Sequence, residues 1–175
     1  MYEVQHNFLS VDDCEMLIAY HKDNCLSPEK PLLPTKESLG VYFHKEGETR
    51  PLDIIHKFPD IDEKVMSWVT GFGGYGNLYI RTNEITKWNT GNKSPLHRDK
   101  FQELWSALIY LNDDFTGGKT FLEDGTHIRP EIGKCLLLQG NKVKHGVTEV
   151  SGIRYTLGYW IGWIDSHTIT IGERL

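Results

Sequence analysis

The chain lacks the sequence features of disulfide-stabilised, zinc-binding and membrane-spanning proteins. Its three cysteines, Cys14, Cys25 and Cys135, are far apart and form no Cys-x-x-Cys pair, so neither a disulfide framework nor a zinc knuckle is indicated. No apolar run reaches the roughly 18 residues of a membrane-spanning helix, and no basic segment precedes an apolar one at the start. We therefore expect a soluble, cytoplasmic protein without membrane contact.

The chain also has no excess of positive charge. The sequence carries 19 lysines and arginines against 24 aspartates and glutamates, a net charge of -5, and the two signs are mixed along the chain. A direct nucleic-acid partner requires a basic stripe that can neutralise phosphates. The sequence therefore predicts no nucleic-acid partner.

Apolar residues make up 39% of the 175 residues, which suits one well-packed domain over 1–175. Their spacing changes character at about residue 75. We predict that 1–75 is mainly helical support with a lid segment and that 76–175 forms a β-rich core. The lid is 26–50, which holds three prolines and a strand-like run at 41–44; we expect it to be mobile and to order over the substrate.

Two helices are predicted in the first part of the chain. Ser10 is the expected N-cap of the first, and Asp60, which follows Pro59, is the expected N-cap of the second. The glycine-rich stretch 71–76 should end the second helix. The predicted buried stripes are Cys14, Leu17 and Ile18 in the first helix and Ile61, Val65, Trp68, Val69 and Phe72 in the second.

Short runs rich in β-branched and aromatic residues follow. They cover 77–82, 104–112, 119–123, 134–139 and 153–164. Turns rich in glycine, asparagine and aspartate separate them, with no helix between. This pattern predicts an antiparallel β-sandwich or barrel.

Two His-x-Asp motifs occur. His21 and Asp23 lie in the first predicted helix, where residues two apart point to different sides and cannot bind one ion. His97 and Asp99 follow Pro95 in a stretch predicted to be extended, where residues two apart share a face. The second motif is therefore the candidate for metal binding.

A third ligand has to come from elsewhere in the fold. His145, at the start of a predicted strand, is the preferred candidate and His127 its rival. His44 and Glu46 form another pair with suitable spacing, which periodicity alone does not exclude. Two imidazoles and one carboxylate are typical of iron(II) sites that keep positions open for a co-substrate and oxygen.

Arg154 is the candidate for anion binding. It shares a strand face with Thr156, Gly158 and Trp160, which we expect to point inward. An inward guanidinium needs an anionic partner, either an internal carboxylate or a ligand that carries one. Thr156 could add a hydroxyl to the same carboxylate.

Several segments in this order resemble the prolyl 4-hydroxylase-like group of iron(II)/2-oxoglutarate dioxygenases. They are NFLSVDDCEMLI at 7–18, His97-x-Asp99, ALIYLNDDFTGGKTFLEDG at 107–125, the run 134–139 and HGVTEVSGIRYTLGYWI at 145–161. The resemblance covers most of the chain and is weakest at 26–75. It implies a double-stranded β-helix, or jelly roll, with helices supporting the sheet from outside.

The resemblance also implies roles for individual residues. His97, Asp99 and His145 match the catalytic iron ligands, and Arg154 matches the residue that binds the far carboxylate of 2-oxoglutarate. The other implied co-substrate contacts are Tyr110, Thr156 and Trp88, the last standing where the family has a tyrosine. Oxygen is the second co-substrate, and ascorbate binding is implied for the family.

The implied reaction is hydroxylation of an unactivated C–H bond, with release of succinate and CO2. Asp99 favours hydroxylation because related halogenases lack this carboxylate. A prolyl or other peptidyl residue is the leading substrate and a small molecule the alternative; Arg154 replaces the lysine of the collagen-type enzymes, which weakens the transfer of collagen preference. Arg98, Lys100 and Arg129 are candidates for a substrate groove. The alternatives are a non-enzymatic metal-binding jelly roll and a catalytically silent scaffold.

Overall fold

The computed structural model describes residues 1–25, 50–73 and 77–163, which form two antiparallel β-sheets, a two-stranded ribbon and two α-helices. All but the last residue of the predicted lid lies outside these residues. The strand-like run at 41–44 and the His44-x-Glu46 pair lie outside them as well.

The first helix, α1 (Val11–Asn24), begins as the sequence predicts. The Ser10 hydroxyl accepts a hydrogen bond from the Asp13 backbone N–H at 3.1 Å, and the Asp13 carboxylate accepts one from the Ser10 N–H at 3.3 Å. This reciprocal pair is a capping box, which satisfies donors that the first helical turn leaves free. Cys14 and Leu17 are buried against the sheet.

The second helix, α2 (Pro59–Gly71), begins one residue earlier than expected, and the assignment of Asp60 as its N-cap is wrong. The N-cap is Phe58, which makes no side-chain capping bond. Pro59 occupies the first helical position, where its fixed φ is already helical and its missing N–H is not needed. The predicted apolar face is buried at Ile61, Val65 and Val69.

Strands form two main sheets and a short ribbon. The large sheet has the order β1 (Tyr2–Gln5), β9 (Cys135–Leu138), β5 (Trp105–Tyr110), β12 (Arg154–Trp163), β3 (Leu78–Trp88) and β2 (Arg50–Asp53). The small sheet has the order β4 (Ser94–His97), β10 (His145–Val147), β7 (Thr120–Leu122) and β8 (His127–Ile128). The ribbon pairs β6 (Thr116–Gly117) with β11 (Val150–Ser151).

The first 75 residues are less purely helical than predicted, because they supply both edge strands of the large sheet. β1 pairs with β9 through Tyr2 and Leu138, and β2 pairs with β3 through Leu52 and Ile85. Each edge strand has only four residues. A run this short shows too little alternation to be recognised before its partner strand is known.

The two faces of β12 have different surroundings. Tyr155, Leu157, Tyr159 and Ile161 belong to the apolar cluster that also contains buried residues of α1 and α2. Arg154 and the residues that alternate with it face the small sheet. The larger hydrophobic cluster thus lies between the large sheet and the helices, and the cleft between the two sheets holds smaller apolar clusters beside the buried polar residues Arg154 and Thr156. No helix within the described ranges has both the length and the apolar character needed to cross a membrane.

A buried polar group joins α2 to the large sheet. The Tyr159 hydroxyl donates to Asp62 Oδ1 at 2.8 Å, and Asn83 Nδ2 donates to the same oxygen at 3.0 Å. All three side chains are buried. Burial and the neighbouring carboxylate raise the pKa of Tyr159, so the phenol keeps its proton and remains a donor.

We expect Tyr159→Phe to destabilise the fold by about 1.5–3 kcal/mol, because it removes a hydrogen bond to a buried carboxylate. The measurement is the free energy of unfolding in urea. Tyr20→Phe is the matched control, since the Tyr20 hydroxyl is on a half-buried ring of α1 outside this group. Equal losses in the two variants would show that the Asp62 hydrogen bond contributes nothing.

Candidate metal and anion site

The pairing of β4 with β10 places two histidines together. His97 is directly opposite His145 in the register of these antiparallel strands. Residues directly opposite each other project to the same face of a sheet, and the centroids of the two imidazole rings are 4.6 Å apart. The structure thus selects His145 as the partner of His97.

Asp99 completes a cluster at the end of β4. Its Oδ1 lies 3.8 Å from His97 Nε2 and 3.6 Å from His145 Nε2. The three ligand atoms lie within 4.8 Å of one another. In the ranges that the structure describes, no other group of three or more histidine, cysteine or acidic side chains is close enough to hold one ion.

The hydrogen bonds of both imidazoles fix which nitrogen is available. His97 Nδ1 lies 2.9 Å from the Pro95 carbonyl oxygen, and His145 Nδ1 lies 3.0 Å from the Val143 carbonyl oxygen. A carbonyl oxygen only accepts, so each Nδ1 donates, and in the neutral ring the lone pair is then on Nε2. Burial lowers the pKa of His145, which favours the neutral, ligand-competent ring.

Two residues not singled out from the sequence position the Asp99 carboxylate, one by a hydrogen bond and the other by leaving room for it. The Ser106 hydroxyl donates to Asp99 Oδ2. A Cβ atom at Gly140 would overlap both this carboxylate and the Ser106 hydroxyl, so only glycine fits there. Ser106 alternates with Leu108 and Tyr110 in β5, and a polar residue at an inward position of an otherwise apolar strand was the available signal.

Arg154 is buried, and its guanidinium has no hydrogen-bond partner among the described residues. Its side chain is 0% exposed, and its guanidinium carbon lies 5.0 Å from the centre of the Trp88 ring and 5.5 Å from that of Tyr110. Neither its three nitrogens nor Trp88 Nε1 meets an acceptor among the residues the structure describes. Burial lowers the pKa of Arg154 to about 10, so it remains a cation at neutral pH. An unpaired buried cation is costly, which makes this pocket complementary to an anion.

Hydroxyl groups surround the same pocket. Tyr110 Oη lies 2.7 Å from Thr120 Oγ1, and burial raises the pKa of Tyr110, so the phenol stays protonated. Thr156 is directly opposite Tyr110 and shares the strand face of Arg154. The predicted residues Tyr110, Thr156, Trp88 and Arg154 therefore lie together between the sheets.

Contacts across the cleft connect the anion pocket to the histidines. Trp88 packs in one apolar cluster with Val147, which is two residues after His145 in β10. Tyr110 in the large sheet contacts Thr120 in β7 of the small sheet, and β7 pairs with β10. The metal cluster and the anion pocket are thus parts of one cleft.

The other candidate histidines lie elsewhere. His127 is exposed and stacks on Phe121 with ring centroids 5.9 Å apart. His21 is buried in α1 against the ring of Tyr155, at 5.4 Å, while Asp23 is exposed. Neither histidine joins the cluster, as helix geometry predicted for His21.

The three cations proposed for a substrate groove are exposed. Arg98 Nε donates to the Lys142 carbonyl oxygen at 2.9 Å. Arg98 lies between His97 and Asp99 and Lys100 follows Asp99 directly, whereas Arg129 follows β8. A role for these residues in substrate binding stays a prediction.

Comparison with known proteins shows the fold. No family model matches the chain. Mouse prolyl 3-hydroxylase 3 is 36% identical over 72 residues, which is 37% of this chain and 10% of that protein. The chain therefore spans about a tenth of the length of this curated relative.

Two solved structures match over nearly the whole chain. The viral collagen prolyl hydroxylase of Paramecium bursaria Chlorella virus-1, in its 2OG complex, has a TM-score of 0.71 at 16% identity, with 94% of this chain and 96% of that chain covered. A prolyl hydroxylase of Trichoplax adhaerens, in complex with a peptide fragment of the hypoxia inducible factor oxygen degradation domain, has a TM-score of 0.65 at 16% identity, with 99% and 87% covered. The predicted fold, a mainly β jelly roll with N-terminal helices, is confirmed.

We expect Ser106→Ala to weaken binding of a divalent metal about 10- to 100-fold, because the variant frees the Asp99 carboxylate that the hydroxyl orients. Calorimetric titration of metal-free protein with nickel(II) or cobalt(II) measures this. Ser151→Ala, at an exposed position of β11, is the control. Wild-type affinity in Ser106→Ala would mean that the Asp99 carboxylate needs no such support.

Proposed function

We propose that this chain is an iron(II)- and 2-oxoglutarate-dependent dioxygenase of the prolyl 4-hydroxylase-like group, and that residues 1–175 form its single catalytic domain. The proposed reaction is hydroxylation of an unactivated C–H bond, first of all in a prolyl or other peptidyl residue. The observation that carries the proposal is one cleft with two complementary sites, a His-Asp-His cluster and a buried cation without an anion.

The donor set fits iron(II). Two neutral imidazole nitrogens and one carboxylate oxygen, from His97, His145 and Asp99, are the protein ligands of non-haem iron(II) oxygenases. Three protein ligands leave the other positions of a six-coordinate ion to a co-substrate and oxygen. Zinc in a structural site would instead be enclosed by four protein ligands.

The anion pocket fits a dicarboxylate such as 2-oxoglutarate. The Arg154 guanidinium supplies a fixed positive charge, and the Tyr110 and Thr156 hydroxyls supply neutral donors on the same face. One carboxylate can be held here, which leaves the keto acid end for the metal cluster in the same cleft. A hydrogen bond between a guanidinium and a carboxylate is stronger than one between neutral groups, because both partners are ionised.

When bound, iron and 2-oxoglutarate supply the oxidising chemistry, in which oxygen is consumed, succinate and CO2 are released and a C–H bond is hydroxylated. The protein orients these groups and excludes water. Backbone carbonyls hold both histidine rings with Nε2 available. Ser106 holds Asp99, and the Trp88–Val147 cluster covers the anion pocket with apolar surface.

The likeness to prolyl hydroxylases supports a peptidyl prolyl residue as the first substrate to test. Mouse prolyl 3-hydroxylase 3 is related to part of the chain, and the structurally similar Trichoplax adhaerens enzyme holds a peptide. The alternative, a non-enzymatic metal-binding jelly roll, would need no unpaired buried cation in the cleft that holds the metal cluster. Arg154 therefore favours the enzyme.

We expect anaerobic addition of iron(II) and 2-oxoglutarate to metal-free protein to produce the visible charge-transfer band of an iron-bound 2-oxo acid. Arg154→Met should raise the 2-oxoglutarate concentration at half-maximal band intensity at least tenfold, because losing one partner of a buried charge pair costs about 2–5 kcal/mol. Lys22→Met, at an exposed lysine of α1, is the control. The same titration curve for wild type and Arg154→Met would remove Arg154 from co-substrate binding, and no band in folded wild-type protein would contradict the proposed function.

We expect Asp99→Ala and His145→Ala to abolish succinate release from 2-oxoglutarate in the presence of iron(II) and ascorbate, because each removes a metal ligand. The assay measures succinate in the presence of prolyl peptides. Asp23→Ala, at an exposed carboxylate of α1, should keep wild-type turnover. Full turnover by His145→Ala would contradict its assignment as a ligand.

A further inference from the structure

Glu84 faces the cleft between the two sheets. It lies in β3, directly opposite Gly158 of β12, and it is half-buried. Trp88, four residues further along the same strand, packs on Arg154 inside the cleft. Asn83 and Ile85, which flank Glu84, point the other way, toward α2 and the helix-facing core. Strand alternation therefore places the Glu84 carboxylate on the face that carries the active site.

Neighbouring residues connect Glu84 to the metal cluster. Ser106, which holds Asp99, is directly opposite Trp160 of β12. The six-membered ring of Trp160 folds over Gly158, with its Cη2 atom 2.9 Å from where a glycine Cβ would be. Because Gly158 has no side chain, the Trp160 ring lies over Gly158, the residue directly opposite Glu84. A carboxylate and an aromatic ring thus adjoin on the metal side of the cleft.

The Glu84 carboxylate has no cationic partner in the described residues. The Thr86 hydroxyl donates to it at 3.2 Å, and no lysine, arginine or histidine nitrogen of the described ranges forms an ion pair with it. The nearby Arg81 instead donates to the Tyr79 hydroxyl at 2.8 Å. A partly buried carboxylate with a single neutral donor is incompletely compensated.

Other acidic groups increase the negative charge at this place. Asp53 is directly opposite Glu84 in the pairing of β2 with β3, and like charges in this position repel. Burial, with smaller contributions from the charges of Asp53 and Glu103, raises the pKa of Glu84 to about 6, while the hydrogen bond from Thr86 opposes the shift. A cation bound here would relieve both the desolvation and the repulsion.

We propose, on the basis of the function proposed above, that Glu84 and the Trp160 ring bind a positively charged group of the primary substrate. The group is a protonated amine or a guanidinium close to the C–H bond that is hydroxylated. Alkylammonium and guanidinium groups are attracted both to a carboxylate and to the face of an indole ring. The substrate class is therefore cationic, either a basic residue in a peptide or the free amino group of an amino acid.

The test uses protein loaded with nickel(II) and 2-oxoglutarate, which binds substrate without turnover, and measures dissociation constants by calorimetry. Peptides with lysine or arginine next to proline are compared with the same peptides carrying norleucine or citrulline. Free proline is compared with N-acetylproline, which lacks the positive charge. We expect at least tenfold tighter binding of the charged member in one of these two arms, and the arm that shows it identifies the source of the cation.

Glu84→Gln keeps the shape of the side chain and should abolish the preference without weakening the binding of 2-oxoglutarate, which depends on Arg154 in the proposed function. Glu63→Gln, at an exposed position of α2, should keep the preference. Trp160→Leu should reduce it several-fold, and it provides a second variant if Glu84→Gln is unstable to heat. A preference that persists in Glu84→Gln overturns the role of Glu84.

Equal binding of charged and neutral probes, or binding of none, overturns the proposal while the proposed function still stands on the metal and 2-oxoglutarate titrations of the same protein. If nickel(II) or 2-oxoglutarate itself does not bind, that result contradicts the proposed function, and with it the proposal that rests on it. The two failures are therefore distinguishable within one set of measurements.

Discussion

The buried guanidinium of Arg154 is the constraint on which the arrangement of the cleft depends. Its charge is removed from water, and the rings of Trp88 and Tyr110 offer only their faces to it. Cation–π contacts contribute about 2 kcal/mol or somewhat more when desolvated, whereas a buried unpaired charge is more costly. The fold tolerates this because the apolar core between the large sheet and the helices lies on the opposite face of the same strand.

Strand pairing, rather than local sequence, assembles the cleft. β12 presents a polar face to the small sheet and an apolar face to the helices, so one strand both stabilises the fold and positions Arg154 and Thr156. A shift of the register by one residue would move both polar side chains into the helix-facing core. The long pairing of β12 with β3, from Arg154 to Trp163, holds this register.

The sequence predicts those parts of the site that local periodicity determines. The extended His97-x-Asp99 pair, the helical position of His21 and the inward face of Arg154 follow from the spacing of side chains along one element. The choice of His145 over His127 depends on the pairing of β4 with β10, which periodicity does not contain. The contact of Ser106 with Asp99 and the close approach at Gly140 join residues that are distant in sequence. Periodicity also does not predict the two short edge strands or the start of α2. Each edge strand has only four residues, and the start of α2 depends on the single residue Pro59.

The cleft carries opposite charges at two places, and these charges determine where each of its ligands binds. In the proposed function Arg154 attracts a dicarboxylate and repels a cation, and in the further proposal Glu84 attracts a cation and repels a dicarboxylate. Each ligand is therefore directed to its own place partly by exclusion from the other, which is how specificity arises from unfavourable contacts as well as favourable ones. The His-Asp-His cluster shares the cleft with both, where a keto acid and a substrate C–H bond would have to meet. If both proposals hold, the distribution of charge in the cleft determines the side from which each molecule approaches the metal cluster. The overall shape of the cleft matters less.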